Sequence, residues 1–177
     1  TGPMKLPLLV LAGASVVLTA PLAHAAPPPN FPDFANFDIV TNTHLAPYRS
    51  TTQQVVKFAT PDGLYCDIGA LAGAGTTVRC YGPVPGAAGV AVTVDPSAKA
   101  PCDFGMAQLH GANEGTISSY RGDCPTDLAG GALLAPTQKV SLGTATCGVA
   151  PGGVTACIDS TAGGHGFVLQ PSGSWTF

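Results

Sequence analysis

Phe58-Ala-Thr-Pro-Asp-Gly-Leu-Tyr-Cys66-Asp-Ile-Gly69 is the stretch around which this chain is organised. Its Pro61 presets φ for the first corner of a type I turn, and Gly63 supplies the left-handed residue that closes a three-residue hairpin loop with a bulge. The turn predicts two antiparallel strands in which Phe58 lies opposite Cys66. The stretch therefore predicts a β-hairpin centred on this turn.

A second hairpin follows if Cys66 is bonded to Cys80 in the return segment 77–81. Directly opposed strand residues lie about 4.5–5.5 Å apart at Cα, which suits a disulfide. The same register predicts three further opposed pairs: Tyr65 with Tyr81, Asp67 with Arg79, and Ile68 with Val78. An aromatic pair, an ion pair and an apolar pair from one assumption support this register.

Alternation along these strands predicts an apolar inner face and a mixed outer face. The predicted inner face consists of Val56, Phe58, Leu64, Cys66, Ile68, Val78 and Cys80. The predicted outer face consists of Lys57, Tyr65, Asp67, Arg79 and Tyr81. Aromatic and arginine side chains commonly anchor partners, so the outer face is a candidate binding surface. The alternatives are a solvated face whose pairs only set the register, or a face covered by the N-terminal segment.

The first 25 residues carry the pattern of a secretory signal peptide. Residues 1–3 are interpreted as a cloning remnant or an upstream start. Lys5 leads into an apolar run over residues 6–20, and Ala23-His-Ala25 is a small-x-small cleavage site. The run is short for a membrane span, although a retained anchor is the alternative interpretation. We therefore expect export, cleavage after Ala25, and no stable membrane insertion afterwards.

The mature chain would comprise the 152 residues 26–177, which suits one domain with a hydrophobic core. Loss of Lys5 leaves six Lys and Arg against ten Asp and Glu, a formal net charge of −4. Without a basic patch, nucleic acid and anionic membranes are unfavourable partners. Glu114 is the only Glu, whereas Gly and Pro are abundant, so strands and turns are favoured over helices.

We predict an all-β, disulfide-stabilised antiparallel sandwich or barrel built of short hairpins, spanning residues 54–177. A Pro/Phe-rich N-terminal segment, residues 26–53, precedes it. In that segment Phe31, Phe34 and Phe37 recur at spacing three, which predicts one apolar stripe on a short helical turn. The stripe either docks onto the core of its own domain or binds a partner.

All six cysteines lie after the cleavage site, and an even number behind a signal peptide indicates disulfides in an oxidising compartment. A zinc site is the rival interpretation, but the chain has no C-x-x-C pair and His is scarce. We choose the sequential connectivity, because two of its bridges close plausible hairpins. The predicted bridges are Cys66–Cys80, Cys102–Cys124 and Cys147–Cys157.

The predicted Cys102–Cys124 bridge would close a hairpin in which two carboxylates face each other. Its opposed pairs would be Met106–Tyr120, Leu109–Ile117 and Asp103–Asp123. Two facing carboxylates repel each other, so we expect a bulge that shifts the register. A cation or proton shared by the two carboxylates is the alternative.

Two further turns predict hairpins near the C-terminus. Pro151-Gly-Gly153 would set Cys147 opposite Cys157. Pro171-Ser-Gly173 would close a three-residue loop like that of the opening hairpin. The pairs predicted across it are Leu169–Trp175 and Phe167–Phe177.

Four motifs stand together in the mature chain. They are Phe31-Pro-Asp33, Phe58-x-Thr-Pro-Asp-Gly-x-x-Cys66, Arg79-Cys-Tyr-Gly-Pro-Val-Pro-Gly86 and Gly166-Phe-x-Leu-x-Pro-Ser-Gly-Ser-Trp-x-Phe177. As a set they resemble a group of small secreted proteins of mycobacteria and related actinobacteria, mostly of uncharacterised function. The resemblance implies export to the cell envelope or the medium and supplies no catalytic residues. The stretch 34–37 departs from the Leu-Ser-x-Tyr expected there.

The chain contains no nucleophile elbow, zinc-protease motif or P-loop. The least unfavourable acid–base pair is His110 with Asp103 or Asp123. Two function classes therefore remain. We favour a non-catalytic binding module that contacts an unknown protein or envelope component, with no cofactor or metal. The alternative is a small secreted hydrolase, for which we expect a cleft around His110.

Overall fold

A computed structural model describes residues 2, 26–41, 46–47, 53–71, 75–87, 92–124 and 131–177. These residues form two β-sheets that pack face to face, with no α-helix among them. The predicted all-β sandwich is therefore confirmed, and the sheets do not close into a barrel. The predicted signal peptide lies outside the described residues except for residue 2.

The described residues contain fourteen strands and two short 3₁₀ turns. In chain order the strands are β1 (Asp38–Ile39), β2 (Ala46–Pro47), β3 (Gln53–Ala59), β4 (Tyr65–Leu71), β5 (Gly75–Gly82), β6 (Val92–Val94), β7 (Pro101–His110), β8 (Thr116–Asp123), β9 (Ala132–Leu133), β10 (Gln138–Leu142), β11 (Ala145–Ala150), β12 (Val154–Asp159), β13 (His165–Leu169) and β14 (Trp175–Thr176). The 3₁₀ turns are Phe34–Asn36 and Thr161–Gly163.

The two sheets differ in width. One has six strands in the order β1-β10-β11-β12-β13-β14. The other has eight strands, seven of them in the order β2-β3-β4-β5-β7-β8-β6, while β9 also pairs with β3. The pairs β1–β10, β3–β9 and β6–β8 are parallel, so both sheets are mixed rather than purely antiparallel.

The opening meander has the predicted register. The Thr60 N–H donates to the Leu64 carbonyl at 2.9 Å, and Gly63 closes the turn with φ +85°. Cys66 then lies opposite both Phe58 on β3 and Cys80 on β5. The local signals in this stretch therefore specify three strands of the eight-stranded sheet.

The core lies between the two sheets. All seven residues of the predicted inner face are buried within it. The six-stranded sheet contributes a matching set of side chains: Val140, Ala145, Cys147, Val149, Cys157, Phe167 and Leu169. The three disulfides have the predicted sequential connectivity, and those joining Cys66–Cys80 and Cys147–Cys157 lie fully inside the core.

The β7–β8 hairpin has a different register from the predicted one. Asp103 lies opposite Arg121 instead of Asp123, and Met106 lies opposite Ser118, a slip of two residues. The eight pairs are consecutive, so the expected bulge is absent from the paired residues. The slip replaces two facing carboxylates by an ion pair in which Arg121 Nε and Nη2 each lie 2.7 Å from an Asp103 oxygen.

The C-terminal hairpin is also shifted, by one residue. Val168 pairs with Trp175, and the Gly173 N–H donates to the Gln170 carbonyl at 3.1 Å, which gives a tighter turn than predicted. Gly166 exchanges two backbone hydrogen bonds with Phe177, and a Cβ at residue 166 would overlap the Phe177 ring. The shift therefore moves Trp175 and Phe177 to the outside of the six-stranded sheet.

The N-terminal segment docks onto that outside face. Its ring centroids lie 5.0 Å apart for Phe31–Phe34, 5.1 Å for Phe34–Phe37 and 5.6 Å for Phe31–Phe177. The Phe34 ring packs over Gly148, where a Cβ would lie 2.7 Å from Phe34 Cε1. The Phe stripe thus contacts its own domain, but on the face of a sheet instead of in the interior core.

Candidate functional site

The five predicted outer-face residues, Lys57, Tyr65, Asp67, Arg79 and Tyr81, come together on β3, β4 and β5; we call them the outer patch. Lys57, Asp67 and Arg79 form one cross-strand row, and Tyr65 and Tyr81 form the next. Tyr65 is 42% exposed and the Arg79 side chain is 46% exposed. The patch therefore presents one aromatic ring and one guanidinium directly to solvent.

An ion pair at the centre of the patch holds Arg79 in place. Its Nε and Nη2 atoms lie 3.2 and 3.1 Å from Asp67 Oδ1, and its Cζ lies 5.7 Å from the centroid of the Tyr81 ring. Asp67 lies on the outer face as predicted, but it is only 6% exposed. Burial raises the pKa of the Asp67 carboxyl, and the charges of Arg79 and Lys57 offset part of that rise.

The shifted pKa of Asp67 predicts a pH dependence of stability. Between its ordinary value and its raised folded value, the native state binds more protons than the unfolded state. Stability therefore falls as pH rises through that window. We expect Asp67→Asn to abolish this decline, because the amide does not titrate. The free energy of unfolding should therefore fall across the window in the wild type but not, from this cause, in the variant. Urea denaturation at a series of pH values measures it, and parallel profiles would contradict the assignment.

Two further aromatic residues extend the patch across β7 and β8. The Tyr81 and Phe104 rings lie 6.2 Å apart edge to face, and Phe104 and Tyr120 stack at 5.7 Å. Burial also raises the pKa of Tyr81. Sequence reasoning missed this extension because its β7–β8 register paired Tyr120 with Met106. The opposite charges of Asp103 and Arg121 were the signal that would have given the observed pairing.

The proposed hydrolase pair does not assemble. His110 stands at the exposed end of β7, with Nδ1 3.2 Å from Thr77 Oγ1. Asp103 lies seven residues away on the same strand, about 23 Å at strand rise. The Asp103 carboxylate forms an ion pair with Arg121. The hydrogen bonds from Arg121 lower the pKa of the Asp103 carboxyl. Asp123 pairs with Pro101 at the opposite end of β7 from His110, and its carboxylate accepts the Lys99 and Ala100 N–H groups at 2.7 and 2.8 Å.

All six cysteines are in disulfides, so none is available as a thiolate ligand. In the described part of the chain, no three His, Cys, Asp or Glu residues cluster in a way that could hold a metal ion. The same residues contain no helix long and apolar enough to cross a membrane.

Comparisons of the chain with protein-family models, curated proteins and solved structures find no match. The resemblance to secreted actinobacterial proteins accordingly stays a prediction.

Proposed function

We propose that this protein is a secreted, non-catalytic binding module that presents its outer patch to a protein or another component of the cell envelope. Three internal disulfides support folding in an oxidising compartment outside the cytosol. The signal-peptide pattern and the resemblance to secreted actinobacterial proteins point the same way.

The observation that carries the proposal is an exposed Tyr and Arg pair on a rigid support. Tyr65 and Arg79 project from the middle of an eight-stranded sheet whose opposite face is pinned by the Cys66–Cys80 disulfide. Tyrosine and arginine are enriched among the residues that dominate binding energy. A surface that is ordered before binding loses little conformational entropy on association. The separation of His110 from both carboxylates gives the hydrolase alternative no comparable support.

The test begins by capturing a partner from an actinobacterial envelope extract with the purified protein, followed by mass spectrometry. For the captured partner, Tyr65→Ala and Tyr81→Ala should each weaken affinity by about 30-fold or more, the effect of losing an anchor residue. Stability should change far less for Tyr65→Ala, by about 0.2–1 kcal/mol, because its loss removes only a cross-strand pair. Tyr81→Ala should cost somewhat more, because Tyr81 also contacts Phe104.

Val94→Ala is the control, since Val94 is 57% exposed on the edge strand β6, outside the patch. It should leave affinity unchanged. If both tyrosine variants melt normally and bind the partner with unchanged affinity, the outer patch is not the binding surface. A collapse of melting in both variants would show that the tyrosines belong to the core.

A further inference from the structure

A concave surface lies on the outside of the six-stranded sheet, whereas the outer patch lies on the outside of the eight-stranded sheet. It is a cleft of about 660 Å³ between the N-terminal segment and the outside of the six-stranded sheet. Pro27–Pro29 and the Phe31 and Phe34 rings form its upper wall, and Thr146 and Ile158 form its floor. Its volume falls within the range of about 300–1,000 Å³ that is typical of small-ligand sites.

Most of this lining is apolar and held in place. Phe34 packs over Gly148, Phe31 contacts Phe177, and β1 pairs with β10, so the segment is attached to the sheet at three points. Ile39, which is 68% exposed, continues the apolar surface at the margin of the cleft. The cleft is therefore a preformed, mainly apolar depression on the outside of the sheet.

The Lys139 side chain lies beside the apolar lining of the cleft. The half-buried Lys139 ammonium donates to the Phe34 carbonyl, and among the described residues no carboxylate lies within ion-pair distance of it. Asp33 also borders the cleft, but its carboxylate accepts the Ala35 N–H at 2.9 Å and caps the 3₁₀ turn. A partly desolvated ammonium without a counter-ion favours an anionic ligand.

Hydroxyl groups lie beside the lysine. Ser141 is two residues along β10 from Lys139, and its Oγ lies 2.8 Å from Thr146 Oγ1. In such a pair one hydroxyl donates to the other, which leaves the second proton available to an acceptor. The polar part of the cleft can thus supply an ammonium and a hydroxyl donor to one anionic head group.

We propose that the cleft binds a single-chain anionic amphiphile, a long-chain carboxylate in its simplest form. The carboxylate pairs with Lys139, and the hydrocarbon chain lies against the prolines, the Phe31 and Phe34 rings and Ile158. Burial of the methylene groups supplies most of the affinity, and the lysine selects for the charged head. The site is separate from the outer patch, so the two can be occupied independently.

The test uses dansyl-labelled undecanoic acid and its methyl ester as fluorescent probes of the purified protein. The acid should bind saturably with enhanced emission, and the ester should bind about tenfold or more weakly, because it lacks the charge that Lys139 contacts. Lys139→Gln should bring the affinity for the acid down to that for the ester. Lys139→Arg should retain binding, because it keeps the cation.

Two more variants locate the site. Ile158→Trp, whose larger side chain occupies the cleft, should abolish binding of both probes, whereas Val94→Ala on the other sheet should leave both affinities unchanged. The proposal is overturned if the acid does not bind saturably, or if acid and ester bind equally. It is also overturned if Lys139→Gln, with a native melting curve, binds the acid like the wild type. Should Lys139→Gln fail to fold, the proposal is overturned if a folded Lys139→Arg loses binding of the acid or if a folded Ile158→Trp binds the acid like the wild type.

Discussion

Replacement of Phe167 by alanine is expected to lower the free energy of unfolding by about 3–5 kcal/mol, the usual cost of removing a fully buried phenylalanine. Among the described residues, Phe167 is the largest fully buried side chain, and it lies on β13 opposite Cys157, facing the other sheet. Removal of the Phe167 ring leaves a cavity between the two sheets. Each sheet contains a buried disulfide, so the surrounding side chains have little freedom to move into that cavity. Urea denaturation at neutral pH measures the loss directly.

Phe37→Ala is the matched control for this substitution. Phe37 is half-buried on the outside of the six-stranded sheet, where its ring contacts Phe34 at 5.1 Å. The same atoms are removed, but from a surface cluster, so the cost should be well below that of Phe167→Ala. Equal costs in the two variants would contradict the position of the core between the sheets.

The second large effect is expected from the double replacement Cys66→Ala with Cys80→Ala. Loss of a native disulfide from a small secreted domain typically costs about 2–5 kcal/mol. This bridge spans 14 residues, and both cysteines are fully buried in the core. The variant therefore loses both the cross-link and the packing of two buried sulfur atoms. Chemical denaturation against the oxidised wild type gives the difference.

The Cys102→Ala/Cys124→Ala variant separates those two causes. That bridge spans 22 residues at the half-buried end of the β7–β8 hairpin. Loop-closure entropy alone would make it the more stabilising of the two bridges by only about half a kcal/mol. We expect the reverse order, because the sulfur atoms of Cys66 and Cys80 are packed in the core. A larger loss in the Cys102/Cys124 variant would show that cross-linking outweighs packing.

The register of the opening meander, and with it the set of residues in the outer patch, follows from the sequence alone. Several local constraints act there on the same few residues. The turn at Pro61–Gly63, the Cys66–Cys80 bridge and the opposite charges of Asp67 and Arg79 all require one register, and a slip of one residue would reverse both faces. Agreement among independent short-range signals is what made this part predictable.

Tertiary packing decided the rest. The register of the last hairpin depends on the space at Gly166 that receives the Phe177 ring, a contact that alternation along the strands cannot reveal. The burial of Asp67 likewise depends on the side chains that surround it on neighbouring strands. The cleft beside Lys139 is formed by residues 105 positions apart, since the Lys139 ammonium binds the Phe34 carbonyl of the docked segment. Sequence patterns report periodicity within a strand, whereas such sites arise where distant segments meet in the folded chain.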